Sequence, residues 1–254
     1  MTTAVLRVFV STSIVALACA FPCEAAAANP VDLRATPTLT GARLRITVKQ
    51  PGGIAIVRRF ATVHERPMHL FVVGDGLDFF AHEYPVPQPD GVFMADVTLP
   101  RPGPYMAIVE FMPEGGTPQM FQQAFTTGSA FGRIVRPAVD TAPKIVDGMR
   151  VTLDASLAKP GERQPVTLQI DDAVTGAPIA DREAYLDAAA LMLLLPPDLT
   201  EAVHEHPAMG AQGAPIVFRP LIPRAGVFKV WIRFQRAGRA ATAAFVIDVP
   251  QPLR

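Results

Sequence analysis

The chain has five histidines, and four of them fall at comparable places in two copies of one pattern. His69 opens the run His69-Leu-Phe-Val-Val, and His82 follows in Phe80-Ala-His82-Glu-Tyr-Pro85. The second copy carries Leu191-Met-Leu-Leu-Leu and then Val203-His204-Glu205-His206-Pro207. Neutral imidazole is the commonest protein ligand for zinc and copper. In the first copy, Asp75-Gly76 reads as a two-residue hairpin turn, because glycine tolerates the positive φ that such a turn needs. That turn sets 74 opposite 77, 73 opposite 78, and so on to His69 opposite His82, with Cβ atoms about 4.5–5.5 Å apart. Two imidazoles so placed can share one ion at metal–nitrogen bonds of about 2.0–2.1 Å. His64 can approach from a bend at Pro67, with Met68 and Met112 as soft ligands for Cu(I). In the second copy, His204 and His206 point to one face of a strand, about 6.5–7 Å apart along the chain, with Met209 following. The metal candidates are therefore His64, His69, His82, His204 and His206. The competing reading makes the histidines fold residues: Phe71, Val73 and Phe80 share the face of His69 and His82, which would then be core.

The elements that must hold these residues repeat as well. The spacing from His82 to Gly103 is matched within one residue by that from His204 to Gly226, and Phe111 corresponds to Phe234. A repeat this long means two copies of one unit, each large enough for its own core. Leu44, Ile46 and Val48 alternate with charged and polar residues, as do Val166, Leu168 and Ile170, which is the period of a half-buried strand. In the first copy, seven strands are expected, including Ile54 to Val63. His69 to Val73 and Leu191 to Leu195 read as strands buried on both faces. Phe228, Val230, Ile232 and Phe234 face one way. Trp231 faces the other, toward the other copy. The expected fold is all-β: two tandem immunoglobulin-like antiparallel β-sandwiches, residues 29–130 and 149–254, with a linker over 131–148.

The ends and composition bound the function. Residues 1–28 read as an export signal: Arg7, an apolar run from Val8 to Phe21, and an Ala-rich cleavage region. Cleavage is expected near Ala28, with a cut after Ala20, an uncleaved anchor or a lipid anchor on Cys19 as the alternatives. Both cysteines, Cys19 and Cys23, lie in this segment, so the mature chain would have no thiolate site and no disulfide. The place is then periplasmic or secreted, with no membrane span after signal removal. Acidic and basic residues balance at 23 each, which gives no electrostatic case for nucleic acid. No G-x-S-x-G, phosphate loop or H-E-x-x-H occurs, and no enzyme is expected.

The run His64-Glu65-Arg66-Pro67-Met68-His69-Leu70, then Phe80-Ala-His82-Glu-Tyr-Pro85 and the later Pro-Arg-Pro-Gly, resembles exported bacterial proteins with YtkA-like immunoglobulin-like domains. That group is associated with copper and heavy-metal handling. The resemblance implies His64, His69 and His82 as matching positions in the first copy and His204 and His206 in the second. Tyr84 and Leu191 depart from the pattern. What it implies is a non-catalytic binding protein that holds or passes a transition metal, copper ahead of zinc. The alternative is a structural or interaction module that meets a periplasmic protein partner.

Overall fold

The computed structural model describes residues 28–128 and 137–251. The signal reading falls outside them, except for Ala28, as does part of the expected linker. The first unit contains β1 (Val31–Thr38), β2 (Gly41–Val48), β3 (Met68–Gly74), β4 (Phe80–Glu83), β5 (Val86–Pro87), β6 (Phe93–Thr98), β7 (Gly103–Phe111) and β8 (Gln119–Thr127). The second contains β9 (Lys144–Val146), β10 (Met149–Asp154), β11 (Val166–Asp172), β12 (Arg182–Glu183), β13 (Leu191–Leu195), β14 (Val203–Glu205), β15 (Ile216–Phe218), β16 (Gly226–Arg236) and β17 (Arg239–Val249). Every pairing between these strands is antiparallel. Among the described residues no helix is long and apolar enough to cross a membrane.

Each unit is two sheets around one core. In the first, the orders are β1-β2-β6-β5 and β4-β3-β7-β8, the arrangement of an immunoglobulin sandwich with its extra strand beside the third. In the second they are β9-β10-β11-β15 and β14-β13-β16-β17, with β12 on the end of β16. Leu44, Ile46, Leu70, Val72 and Val109 fill the first core, and Leu168, Met192, Val230, Phe234 and Phe245 the second. The Tyr105 hydroxyl donates to the Arg101 carbonyl at 2.6 Å, a corner bond that immunoglobulin-like sandwiches share. Phe228 replaces it in the second unit.

Three expectations need correction. Residues 54–63 form isolated bridges and no strand: Ile54 is 94% exposed at a turn tip, and the segment pairs only at single points, Ile56 with Lys49, Phe60 with Pro113 and Val63 with Arg66. The strand that completes the sheet is instead β1. Lys144–Val146 lies inside the expected linker but pairs with β10. The β3–β4 hairpin is shifted by two residues, so His82 opposes Phe71 and not His69. Its loop has four residues, because Leu77 takes φ +55° and the Gly74 amide bonds the Phe79 carbonyl at 3.1 Å.

Candidate functional site

The units meet through their β3 and β13 sheets. β3 and β13 are buried along their whole length, which requires a cover on both faces. One face of each joins its own core. The other supplies Phe71, Val73, Leu191, Leu193 and Leu195 to a third apolar cluster, which includes Trp231. Trp231 stacks on Phe80 of the other unit at 5.4 Å, as its place on the outward face of β16 leads one to expect.

The two sheets present the same positions to each other. Register pairs Phe71 with His82 in one unit and Leu193 with His204 in the other, so positions 122 apart are equivalent on these strands. Glu110 lies opposite His69, and Arg233 opposite Leu191. Contacts across the seam then come in reciprocal pairs: Glu110 meets His204, and Arg233 Nη1 reaches the His82 carbonyl at 3.5 Å. The turns ahead of β3 and β13 match too. His64 and Glu65 have φ of +47° and +63°, and Leu186 and Asp187 have +54° and +58°. Both turns are closed by paired backbone bonds, Val63 with Arg66 and Tyr185 with Ala188. Two successive residues at positive φ make a type I′ turn, which suits the twist of paired strands.

All five histidines gather at this seam. His69 and His82 form one linear chain, and the proton positions follow from its end. The Val63 carbonyl can only accept, so His69 Nε2–H donates to it at 2.9 Å. His69 Nδ1, in the neutral ring, then accepts from His82 Nε2–H at 3.0 Å. His82 Nδ1 accepts from the Tyr185 hydroxyl at 3.0 Å, and Tyr84 donates to Tyr185 at 2.7 Å. Burial and the neighbouring imidazoles hold the His82 pKa far below the usual histidine range, which keeps this order. Burial also lowers His69 and pushes the Tyr185 phenol upward. Both lone-pair nitrogens of the His69–His82 pair are thus engaged within the protein.

The other three histidines are arranged differently. His204 Nδ1–H donates to Glu110 Oε2 at 2.6 Å, and among the described residues its Nε2 is buried without a partner. Both ring nitrogens of His206 are likewise buried with no partner among the described residues. Its ring lies 4.5 Å from that of His204 and stacks on His64 at 3.8 Å. Burial and the adjacent His204 push His206 far below the ordinary pKa, and burial lowers His64 as well. For Glu110, burial alone would raise the pKa, but the hydrogen bond and charge of His204 outweigh it and hold it low.

Spacing predicted pairs within each copy; the structure sets His69 beside His82 and His204 beside His206, and it also stacks His64 of one unit on His206 of the other. Met68 is no ligand: it sits on the opposite face of β3, fully buried in the first core. Met209 is 39% exposed. Among the described residues no three His, Cys, Asp or Glu side chains stand so that they could hold a metal ion as placed. Glu110, Tyr185 and Arg233 were not among the candidates. The signal for Glu110 is a carboxylate inside the apolar strand Tyr105 to Phe111, which needs a partner when both faces are covered.

A protein-family model described as a domain of unknown function, DUF8832, matches residues 144–251, from the first residue of β9 to two residues past β17. No curated protein matches the sequence. Among solved structures, a two-domain fibronectin type III segment of chicken tenascin is similar at 13% identity and a TM-score of 0.25, over 87% of this chain and all of that one. The sandwich assignment rests on the strand order and the corner tyrosine, not on that superposition.

Proposed function

We propose that this chain is an exported, non-catalytic binding protein that holds a transition metal at the histidine-rich half of the seam. The observation that carries the reading is the three buried, partnerless ring nitrogens of His204 and His206. A buried polar atom without a partner costs about 1–3 kcal/mol, so three on two neighbouring rings call for a ligand. Glu110 supports this directly. A carboxylate on one imidazole nitrogen fixes the ring and raises the basicity of the other, the usual support for a metal-bound histidine. The ligands would be His204 through Nε2, His206, and His64 after its ring turns off the His206 stack. Burial keeps His64 and His206 neutral near pH 7, so protons compete weakly for their lone pairs. An all-nitrogen set suits Cu(II) first and zinc second, and Met68 is out of reach for Cu(I). His69 and His82 back the site without joining it.

The second reading, an interaction module whose histidines merely cement the seam, is favoured by the lack of a ready three-ligand geometry. Titration of the purified chain with Cu(II) and with zinc, reading bound metal per chain and melting temperature, separates the two. One ion per chain, lost in His206→Ala and in His64→Ala but kept in His82→Ala, supports metal binding. No binding above that of His206→Ala, with His82→Ala alone losing stability, supports the seam reading.

A further inference from the structure

A second site lies on the far side of β14, away from the histidines. Side chains alternate along a strand, so Glu205 faces opposite to His204 and His206. There it lines a cavity of about 370 Å³ with Arg182, Pro207, Ile216 and Arg219. Arg182 is 7% exposed and makes no ion pair among the described residues. Among the described residues its side chain makes one hydrogen bond, from Nη2 to the Ala214 carbonyl at 2.6 Å. A guanidinium has five N–H donors, and a buried charge without a counter-ion is costly. Burial accordingly lowers the Arg182 pKa, with no opposing carboxylate to raise it. Arg219 also lacks an ion pair among the described residues, while the one carboxylate on the wall, Glu205, is held by Arg163 at 2.6 Å. With Arg163 neutralising Glu205, the wall keeps two uncompensated positive charges. Next to them lie apolar surfaces from Ala189, Pro207 and Ile216.

We infer that this cavity binds a small organic acid, its carboxylate on Arg182 and Arg219 and its carbon body against Ile216 and Pro207. A planar carboxylate fits the guanidinium fork, and the cavity is in the size range of small-molecule sites. The site is independent of the metal reading, since no histidine contributes to it.

The test is a thermal-shift and calorimetric titration of the intact chain with sodium acetate, butyrate and phosphate, at ionic strength matched with chloride. Saturable stabilisation by butyrate, stronger than by acetate, is expected. Arg182→Gln abolishes it. Arg219→Gln, at an exposed position that leaves the fold intact, weakens butyrate binding about tenfold, the loss of one charge-assisted contact. If Arg182→Gln does not fold, Arg219→Gln decides alone. An equal response in wild type and Arg219→Gln, a response no greater than that to chloride, or phosphate bound more tightly than butyrate would each overturn the inference.

Discussion

The two halves of the seam occupy equivalent places and are built from different residues. On one side stand His64, His69, Glu110, His204 and His206. At the matching places on the other stand Leu186, Leu191, Arg233, His82 and Tyr84. Leu186 and Leu191 belong to the apolar cluster, and Tyr84 packs against it. The second half is more nearly satisfied: Leu needs no partner, Tyr84, Tyr185 and His82 are bonded in series, and among the described residues only Arg233 Nε is buried there without a partner. The first half carries three polar atoms that nothing among the described residues satisfies. The difference separates a half that holds the units together from one that keeps donor atoms free.

Acid should break the contrast most strongly. His69, His82 and His206 have folded pKa values below the unfolded value of about 6.5, so the unfolded chain binds more protons and stability falls as pH drops below that value. By pH 5 the cost is about 2 kcal/mol each for His82 and His206, and His69 adds a loss in the same direction. Glu110, also lowered, adds a loss in the same direction at still lower pH. Urea unfolding from pH 7.5 to 5 should show a steep fall, and a flat profile would mean that these rings are not buried neutral. Leu191→Ala, in the apolar half, should cost about 2–5 kcal/mol and leave metal uptake unchanged. Tyr185→Phe removes the donor to His82 and should cost about 1–3 kcal/mol, detectable as a lower melting temperature with metal stoichiometry intact. The smallest effect is the sharpest. His206→Tyr installs the residue of the matching position and should change metal-free stability by less than about 1 kcal/mol, since no bond is lost. It should also erase the rise in melting temperature that Cu(II) gives the wild type.

Much of the fold was legible because its strands alternate and its turns carry Gly and Pro. β1 was missed because Leu33 is its only buried residue and Pro37 interrupts it. Ile54 to Val63 looked like a strand because apolar residues are frequent there, yet β-propensity is decided by a neighbouring strand to pair with. The hairpin register failed on a four-residue loop closed by Leu77 at positive φ, a conformation that leucine does not advertise. The meeting of the histidines lay one inference beyond the strand reading. Two strands buried on both faces need covers, and each is the other's cover. Arg182 carried no motif and only its burial marks it, whereas Glu110 shows in the sequence only as a carboxylate inside an apolar strand.

The reciprocal seam has the form of a two-fold dimer interface folded into one chain. In a true dimer of identical subunits every substitution is made twice, once in each half. A histidine gained for a ligand site would appear at the mirrored place too, and a leucine gained for cohesion would displace both ligands. Joining the copies covalently lifts that restriction: one half of the seam is free to bind while the other is free to hold.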